Sequence, residues 1–254
     1  MSIALKKLYD DKFYDEQRSG SLLAAKTILP LIFQIYTPNS VIDVGCGIGT
    51  WLAAFKELVQ NARVLGLDGE YNKGRLLIAA DEFIGCNLED PLPSFSSKFD
   101  LVISLEVAEH LSSERAFSFV KELTELGDIV LFSAACPGQG GKNHVNEQWH
   151  EYWIKLFEEE KFFTVDWIRP QIMNYLDIPA HYRSNILLFV CKEFSLKIDC
   201  GKYKNFKWTD IQRMCWVYAL QPRFFERLGT KLDDNAGLTA LKKIFKKLHP
   251  KENH

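Results

Sequence analysis

Three stretches of this sequence gather residue types that can do chemistry. The first is Val41-Ile-Asp-Val-Gly-Cys-Gly-Ile-Gly-Thr50, where glycines at 45, 47 and 49 follow an apolar run and precede a helical pattern. Glycine permits tight turns of positive φ, and without a Cβ it lets the backbone approach a ligand closely. A helix that opens just after such a loop adds free N–H groups and a positive dipole end, which suit a carboxylate or phosphate. Asp68 closes the next apolar run, VLGLD, 25 positions after Asp43. A carboxylate at that place can accept both hydroxyls of a ribose, as in doubly wound folds that recognise nucleosides. The glycine spacing is GxGxG, whereas a dinucleotide loop reads GxGxxG and would need its third glycine at Thr50. The spacing therefore favours S-adenosylmethionine (SAM) over NAD, and no Tyr-x-x-x-Lys pair of an oxidoreductase stands in the expected region.

The second stretch is Glu106-Val-Ala-Glu-His110 and the third is the Gly-rich segment Pro137 to Trp149. The carboxyl ends of the strands in an open α/β sheet are where ligands bind, and both stretches follow apolar runs that read as strands. His110, His144 and His150 lie on or beside them, His181 stands ahead of the last apolar run, and His249 and His254 are near the C-terminus. His144 is the first candidate for a general base, because it follows a loop able to bend over a cofactor and imidazole titrates in the right range. The bland alternative is a cap histidine ahead of the NEQWHEYW helix. Trp149, Tyr152, Trp153 and Phe157 have helical spacing and read as core, with Trp149 a candidate wall for a sugar ring or aromatic acceptor.

These residues need a scaffold, and the apolar periodicity supplies one. Val41–Val44, Val64–Asp68, Phe83–Cys86, Asp100–Leu105, Ile129–Ser133, Phe163–Ile168 and Asn185–Cys191 read as strands. Thr50–Gln60, Ser112–Leu126 and Glu147–Lys161 carry apolar residues three and four apart and read as helices. VIDV and FDLVISL are near-continuously apolar, as strands buried on both faces should be, and the βαβ rhythm predicts a parallel sheet with helices on both sides. Residues 1–38 read as helical and are expected to kink or break at Pro30. Residues 194–254 leave the rhythm and read as a basic helical C-terminal extension to a domain spanning 1–193. Its last helix sets Leu238, Leu241, Ile244, Phe245 and Leu248 against Lys242, Lys243, Lys246 and Lys247.

Composition bounds the rest. The 254 residues (29.3 kDa) are 47% hydrophobic and 25% charged, which excludes a largely disordered chain. The net charge of −2 divides into −9 for residues 1–193 and +7 for 194–254, so an acidic domain carries a basic extension. Four readings of that extension stay open, namely a solvated basic face, a small helical subdomain packed on the fold, contact with an anionic membrane and binding of a partner enzyme. The acidic domain argues against a surface built to coat nucleic acid. The apolar runs are too short to span a bilayer, and charges interrupt the N-terminal segment where a signal peptide would have its apolar core, so a cytoplasmic protein is expected, peripheral at most to a membrane. Six cysteines at 46, 86, 136, 191, 200 and 215 include no CxxC pair, so no zinc knuckle or disulfide framework is expected.

In combination, VIDVGCGIGTWL, LGLDGEY, FDLVISLEVAEHL and GDIVLFSA resemble the four successive motifs of class I SAM-dependent methyltransferases, across roughly residues 10–193. The resemblance implies a Rossmann-like seven-stranded sheet of order 3-2-1-4-5-7-6 with the last strand antiparallel. It implies that Gly45, Gly47 and Gly49 hold the methionine part of SAM, that Asp68 binds the ribose with Asp43 and Glu106 nearby, and that Asn87 and Leu88 flank the adenine. Many relatives have Asp at the position of Asn87; an amide there can still accept from the adenine amine. FYDEQRSGSLLAAKTILPL, FSAACPGQGGKNHVNEQW and HYRSNILLFV resemble a bacterial branch associated with surface glycans and natural products. In that branch Tyr14 and Ser21 cover the cofactor, and Tyr182, Arg183 and Asn185 lie near the acceptor. The implied activity is O-methylation of a sugar, glycan or glycolipid-type acceptor with a histidine base. The ExxEH pattern is also that of ubiquinone-biosynthesis and small-RNA 3′-end methyltransferases, in which it can hold a divalent metal with a later histidine. Glu106, Glu109, His110 and, as the later histidine, His144 are the corresponding candidates here. These two carboxylates and two imidazoles suit a divalent ion, while relatives without metal use the same segment to pack the strand end. RNA 3′ ends and small phenols stay open as acceptors, as does a non-catalytic SAM-binding module. DNA is not expected, since no Asn/Asp-Pro-Pro-Tyr signature occurs.

Overall fold

The apolar runs become strands, and most of their side chains are buried from both sides of a sheet. The computed structural model describes residues 11–194. In it β1 is Ser40–Val44, β2 Arg63–Asp68, β3 Phe83–Gly85, β4 Leu101–Leu105, β5 Ile129–Ser133, β6 Phe162–Val165 and β7 Leu187–Cys191. The helices are α1 (Asp11–Phe33), α2 (Thr50–Leu58), α3 (Ala116–Leu126), α4 (His150–Glu159), α5 (Ile168–Ile172) and α6 (Ala180–Asn185). The sheet order is β3-β2-β1-β4-β5-β7-β6, with β7 antiparallel to both its neighbours and the other pairs parallel. This is the expected seven-stranded class I methyltransferase sheet, last strand antiparallel included.

Alternation along each strand divides the core in two. Ile42, Val44, Val102, Val130 and Phe132 meet Phe119 and Leu123 of α3 and Trp153 and Phe157 of α4 on one face. Val41, Leu101, Ile103, Ile129 and Leu131 meet Ala24, Ile28 and Ile32 of α1 and Trp51 and Phe55 of α2 on the other. Each such side chain withdrawn from water contributes about 1.5–3 kcal/mol, offset in large part by the entropy of ordering the chain. The sheet thereby fixes the carboxyl ends of β1, β2, β4 and β5 along one edge, and every candidate loop leaves from that edge.

Several expectations are corrected. α1 continues through Pro30 to Phe33, so the predicted break is absent. Pro30 removes a hydrogen bond to the carbonyl of Lys26, but both residues face solvent, where water can take that carbonyl, while Ile28, Leu29 and Ile32 are buried. The helices expected to start at Ser112 and Glu147 begin at Ala116 and His150, because each is preceded by an irregular segment. The strand expected to reach Ile168 ends at Val165, and Asn185 closes α6 instead of opening β7. Pro170 in the first turn of α5 and Pro179 just before α6 are the helix-start signals behind both differences. No helix among the described residues is long and apolar enough to cross a membrane. Cys46, Cys86, Cys136 and Cys191 are free thiols. Cys200, Cys215 and the whole basic extension from 195 onward lie outside the described residues.

Candidate active site

At the end of β1 the chain makes three left-handed turns in five residues: φ is 85° at Gly45, 57° at Gly47 and 83° at Gly49. The three glycines are required for different reasons. A Cβ on Gly45 would stand 2.2 Å from Val107 Cγ2, and one on Gly49 3.0 Å from Ile78 Cγ1. A Cβ on Gly47 would meet nothing within 4 Å, so this glycine leaves open the space in front of the loop. The Gly47 N–H donates to Asp68 Oδ2 at 2.7 Å, binding the loop to the end of β2. Asp68 Oδ1 accepts from the Gly69 N–H at 2.6 Å and from the Tyr71 hydroxyl at 3.1 Å. Burial raises the Asp68 pKa, against the pull of these donors. Asp43, deeper in β1, is held well above the usual carboxylate range by burial and then by the charge of Asp68.

Leu88 packs against the sheet beyond β3, and Asn87 is exposed. The Asn87 amide donates to Asp90 Oδ2 at 3.0 Å, and its oxygen accepts from the Glu89 N–H at 3.4 Å. Arg115 fixes this turn from α3, donating to the carbonyls of Leu88 and Asp90 at 3.1 Å. Ser21 of α1 lies 3.3 Å from the Tyr182 hydroxyl, and the Tyr182 ring meets Trp51 edge-on at 5.7 Å. Burial pushes the Tyr182 phenol up to about 12. Tyr14 falls within α1, but its side chain is outside the described residues.

Beyond β4 the backbone at Glu106 takes φ 56°, an uncommon conformation for a side chain with a Cβ and one that concentrates at functional sites. Its N–H donates to the Ser133 carbonyl at 3.0 Å, which ties the ends of β4 and β5. Glu106 Oε1 accepts from Asn185 Nδ2 at 3.1 Å and Oε2 from Gln139 Nε2 at 2.9 Å, while Asn185 Nδ2 also donates to Gln139 Oε1 at 2.8 Å. Residues 106, 139 and 185 thus close a ring of hydrogen bonds from three distant parts of the sequence.

Gln139 sits between Gly138 (φ 86°) and Gly140 (φ 72°), and the N–H groups of both glycines donate to Glu147 at 2.8 and 3.0 Å. Glu147 Oε1 also accepts from His144 Nδ1 at 2.8 Å. Burial opposes the charge on Glu147, but these donors outweigh it and lower its pKa. With Nδ1 so engaged, Nε2 is the free face of His144. A Cβ on Gly141 would lie 2.1 Å from that nitrogen, so Gly141 is what lets the imidazole fold back on its own loop. The His144 ring meets His110 edge-on at 4.8 Å. The Nδ1 of His110 is 3.3 Å from the Asn143 carbonyl, and surrounding protein, then His144, holds the His110 pKa below the usual value although the residue keeps an exposed edge. Glu109 is fully buried beneath them; the Glu109 and Ala135 N–H groups approach its carboxyl, but neither oxygen has a hydrogen bond of good geometry. Burial, then the charge of Glu106, pushes its pKa up to about 9. Ligand atoms of Glu109, His110 and His144 all lie within 4.8 Å of one another.

The fold therefore brings together Gly45, Gly47, Gly49 and Asp68 in one group and Glu109, His110 and His144 in another, with Glu106 and Asn185 clamped beside the second. The Arg183 guanidinium is buried and donates to the carbonyls of Ile178 at 2.9 Å and Met173 at 3.0 Å. Trp149 is half-buried and caps α4. His150 is buried 3.3 Å from Cys136 Sγ, and burial, then the charge of Arg169, pushes its pKa down to about 3, which keeps the imidazole neutral. Sequence reasoning missed Gln139, Glu147 and Tyr71. Only Glu147 had a local signal, standing three residues after His144.

Residues 41–126 match a family model described as a methyltransferase domain. No curated protein matches the chain. Among solved structures, an O-methyltransferase family protein from Burkholderia thailandensis superposes with a TM-score of 0.52 at 13% identity, over 73% of this chain and 61% of that longer one. The plantazolicin methyltransferase BpumL, crystallised with a pentazolic desmethylPZN analog and SAH, gives 0.50 at 17% identity over 74% and 90%. The magnesium protoporphyrin IX methyltransferase of Synechocystis PCC 6803 with bound SAH gives 0.49 at 17% identity over 72% and 89%. At these identities the first two likenesses establish the fold.

Proposed function

We propose that this chain is a SAM-dependent methyltransferase that methylates oxygen on a sugar, glycan or glycolipid-type acceptor, with His144 as general base. The supporting observation is the pairing, along one sheet edge, of the Gly45–Gly49 loop bonded to Asp68 with a histidine whose Nε2 is left free by Glu147. The family match over residues 41–126 and the SAH held by BpumL, which shares the fold, point to the same cofactor. SAM carries an activated methyl group, so the protein must chiefly align the acceptor for in-line displacement and take its proton. The O–C bond forms as the C–S bond breaks, the hydroxyl proton passes to His144 Nε2, and SAH leaves as the neutral thioether. Glu147 orients the imidazole and stabilises its cation, and a base so placed contributes about 10²–10⁴-fold.

The buried Glu109 carboxyl, whose oxygens lack a hydrogen bond of good geometry, supports a second reading. Glu109, His110 and His144 fit a divalent ion, with the second nitrogen of each imidazole oriented by Asn143 or Glu147. Such an ion would supply Lewis-acid polarisation of the acceptor oxygen. Glu106, whose oxygens are held by Asn185 and Gln139, stays outside this donor set.

Calorimetry with SAH and NAD tests the cofactor; the expected outcome is binding of SAH and none of NAD. Labelled SAM offered with nucleotide sugars, glycolipids and RNA ends identifies the acceptor. On that acceptor His144→Ala is expected to lose about 10²-fold or more in kcat with SAH affinity kept. Wild-type turnover by that variant removes the histidine from the chemistry. Full activity after exhaustive chelation removes the ion.

A further inference from the structure

Asp68 is the acceptor for the ribose hydroxyls in the reading above, yet part of it is already taken by the protein itself. The Tyr71 hydroxyl donates to Oδ1 at 3.1 Å, and the same oxygen receives the Gly69 N–H at 2.6 Å. A carboxylate oxygen accepts about two such bonds, so Oδ1 is saturated. Oδ2 holds the Gly47 N–H and faces the glycine loop, and the buried Asn72 side chain also bonds this carboxylate. Asp68 is only 8% exposed, whereas Tyr71, three residues later on the turn Glu70–Asn72, is 59% exposed. A largely exposed ring thus sends its one polar atom to a nearly buried carboxylate.

The ring can do so only because residue 69 has no side chain. A Cβ there would stand 2.1 Å from Tyr71 Cε1 and 2.6 Å from Cδ1. Gly69 has φ −60° and ψ 142°, a conformation open to any residue, so the backbone gives no reason for glycine at this position. Passage of the tyrosine ring gives one.

We propose that Tyr71 is a further binding-site residue, whose hydroxyl stands on Asp68 in the place of a ribose hydroxyl and must be displaced when a nucleoside binds. It rests on the reading of Asp68 as the ribose acceptor. Tyr71 lowers the affinity of the pocket for every ligand that brings a ribose diol, and does not affect one that lacks it. Product and cofactor carry the same ribose, so the displaced hydroxyl favours release of SAH as much as it disfavours entry of SAM.

The test uses the whole chain and calorimetric titration with SAH and with its 2′,3′-dideoxy analogue. Tyr71→Phe keeps the ring and removes the donor. It is expected to bind SAH about three- to ten-fold more tightly, the range of one partly exposed hydrogen bond lost from the free state alone, with the dideoxy analogue unchanged. Gly69→Ala evicts the ring by a different route and is expected to give the same gain, with no further gain in the double variant. Unchanged or weaker SAH binding by Tyr71→Phe overturns the proposal, as does equal tightening of the dideoxy analogue. A wild-type chain that binds neither ligand instead overturns the reading of the site as a SAM pocket.

Discussion

Gly45 and Gly47 show how two identical residues two positions apart do different work. At Gly45 an added methyl both meets Val107 and sits at φ 85°. Gly45→Ala is expected to lower folding stability by about 2–4 kcal/mol, seen as a shift of the denaturant midpoint. At Gly47 nothing is within 4 Å, so Gly47→Ala should cost only the left-handed strain of about 1–2 kcal/mol. Its methyl would occupy the open face of the loop, and SAH binding is expected to weaken at least ten-fold. Equal stability losses in the two variants would contradict this division. The glycine loop and Asp68 were legible because their meaning lies in short-range spacing, strand to turn to helix to acid. Gln139 was not legible, since its partners Glu106 and Asn185 stand 33 and 46 positions away and only the fold joins them. Arg183, which the resemblance sets near the acceptor, donates to carbonyls between α5 and α6, contacts that short-range spacing does not announce.

Among the elements, α5 and α6 were the least visible in the sequence, for they are five and six residues long and show no full helical period. A buried ion pair holds them together. Arg169 bonds Asp166 through Nε at 2.8 Å and Nη2 at 2.6 Å, and reaches the Ser184 carbonyl of α6 at 2.9 Å. Both side chains are 1% exposed. Asp166→Ala would strand the guanidinium without its counter-charge, and a loss of about 3–5 kcal/mol is expected in chemical denaturation. The Asp166→Ala/Arg169→Met double variant should regain part of that loss, because the unpaired charge is then gone. α6 carries Asn185 to Glu106, so the ion pair also bears on the ring of hydrogen bonds at the candidate site. Five of the seven strands, by contrast, were readable to within a residue at each end, because burial favours Val, Ile, Leu and Phe; the exceptions are the end of β6 and the start of β7, where α5 and α6 intrude.

For the molecule as a whole, two buried groups set opposite pH dependences. Glu109 titrates near 9 when folded, against about 4.5 unfolded, so the folded chain holds an extra proton between those values. Its stabilising effect is complete below about pH 4.5 and is lost as pH rises through 9. His150, near 3 folded against 6.5 unfolded, works the other way, and stability falls as pH drops from 6.5 towards 3. Above pH 6.5 only the carboxyl contribution of this pair changes. In buffer containing a chelator, the wild-type Tm should therefore decline from pH 6.5 to 9, and Glu109→Gln should decline less. A variant that declines as steeply as wild type would show that Glu109 is ionised throughout.

The sheet narrows toward its sides. It is five or six residues deep through β1, β2, β4 and β5, but three at β3 and four at β6. Backbone left unpaired along an outer strand is a template on which another molecule can add its own strand. Here the two outermost ladders among the described residues are too brief to register a foreign segment firmly. Tapering of this kind limits the unpaired backbone that a sheet rich in Val, Ile and Phe offers to a foreign strand along its sides.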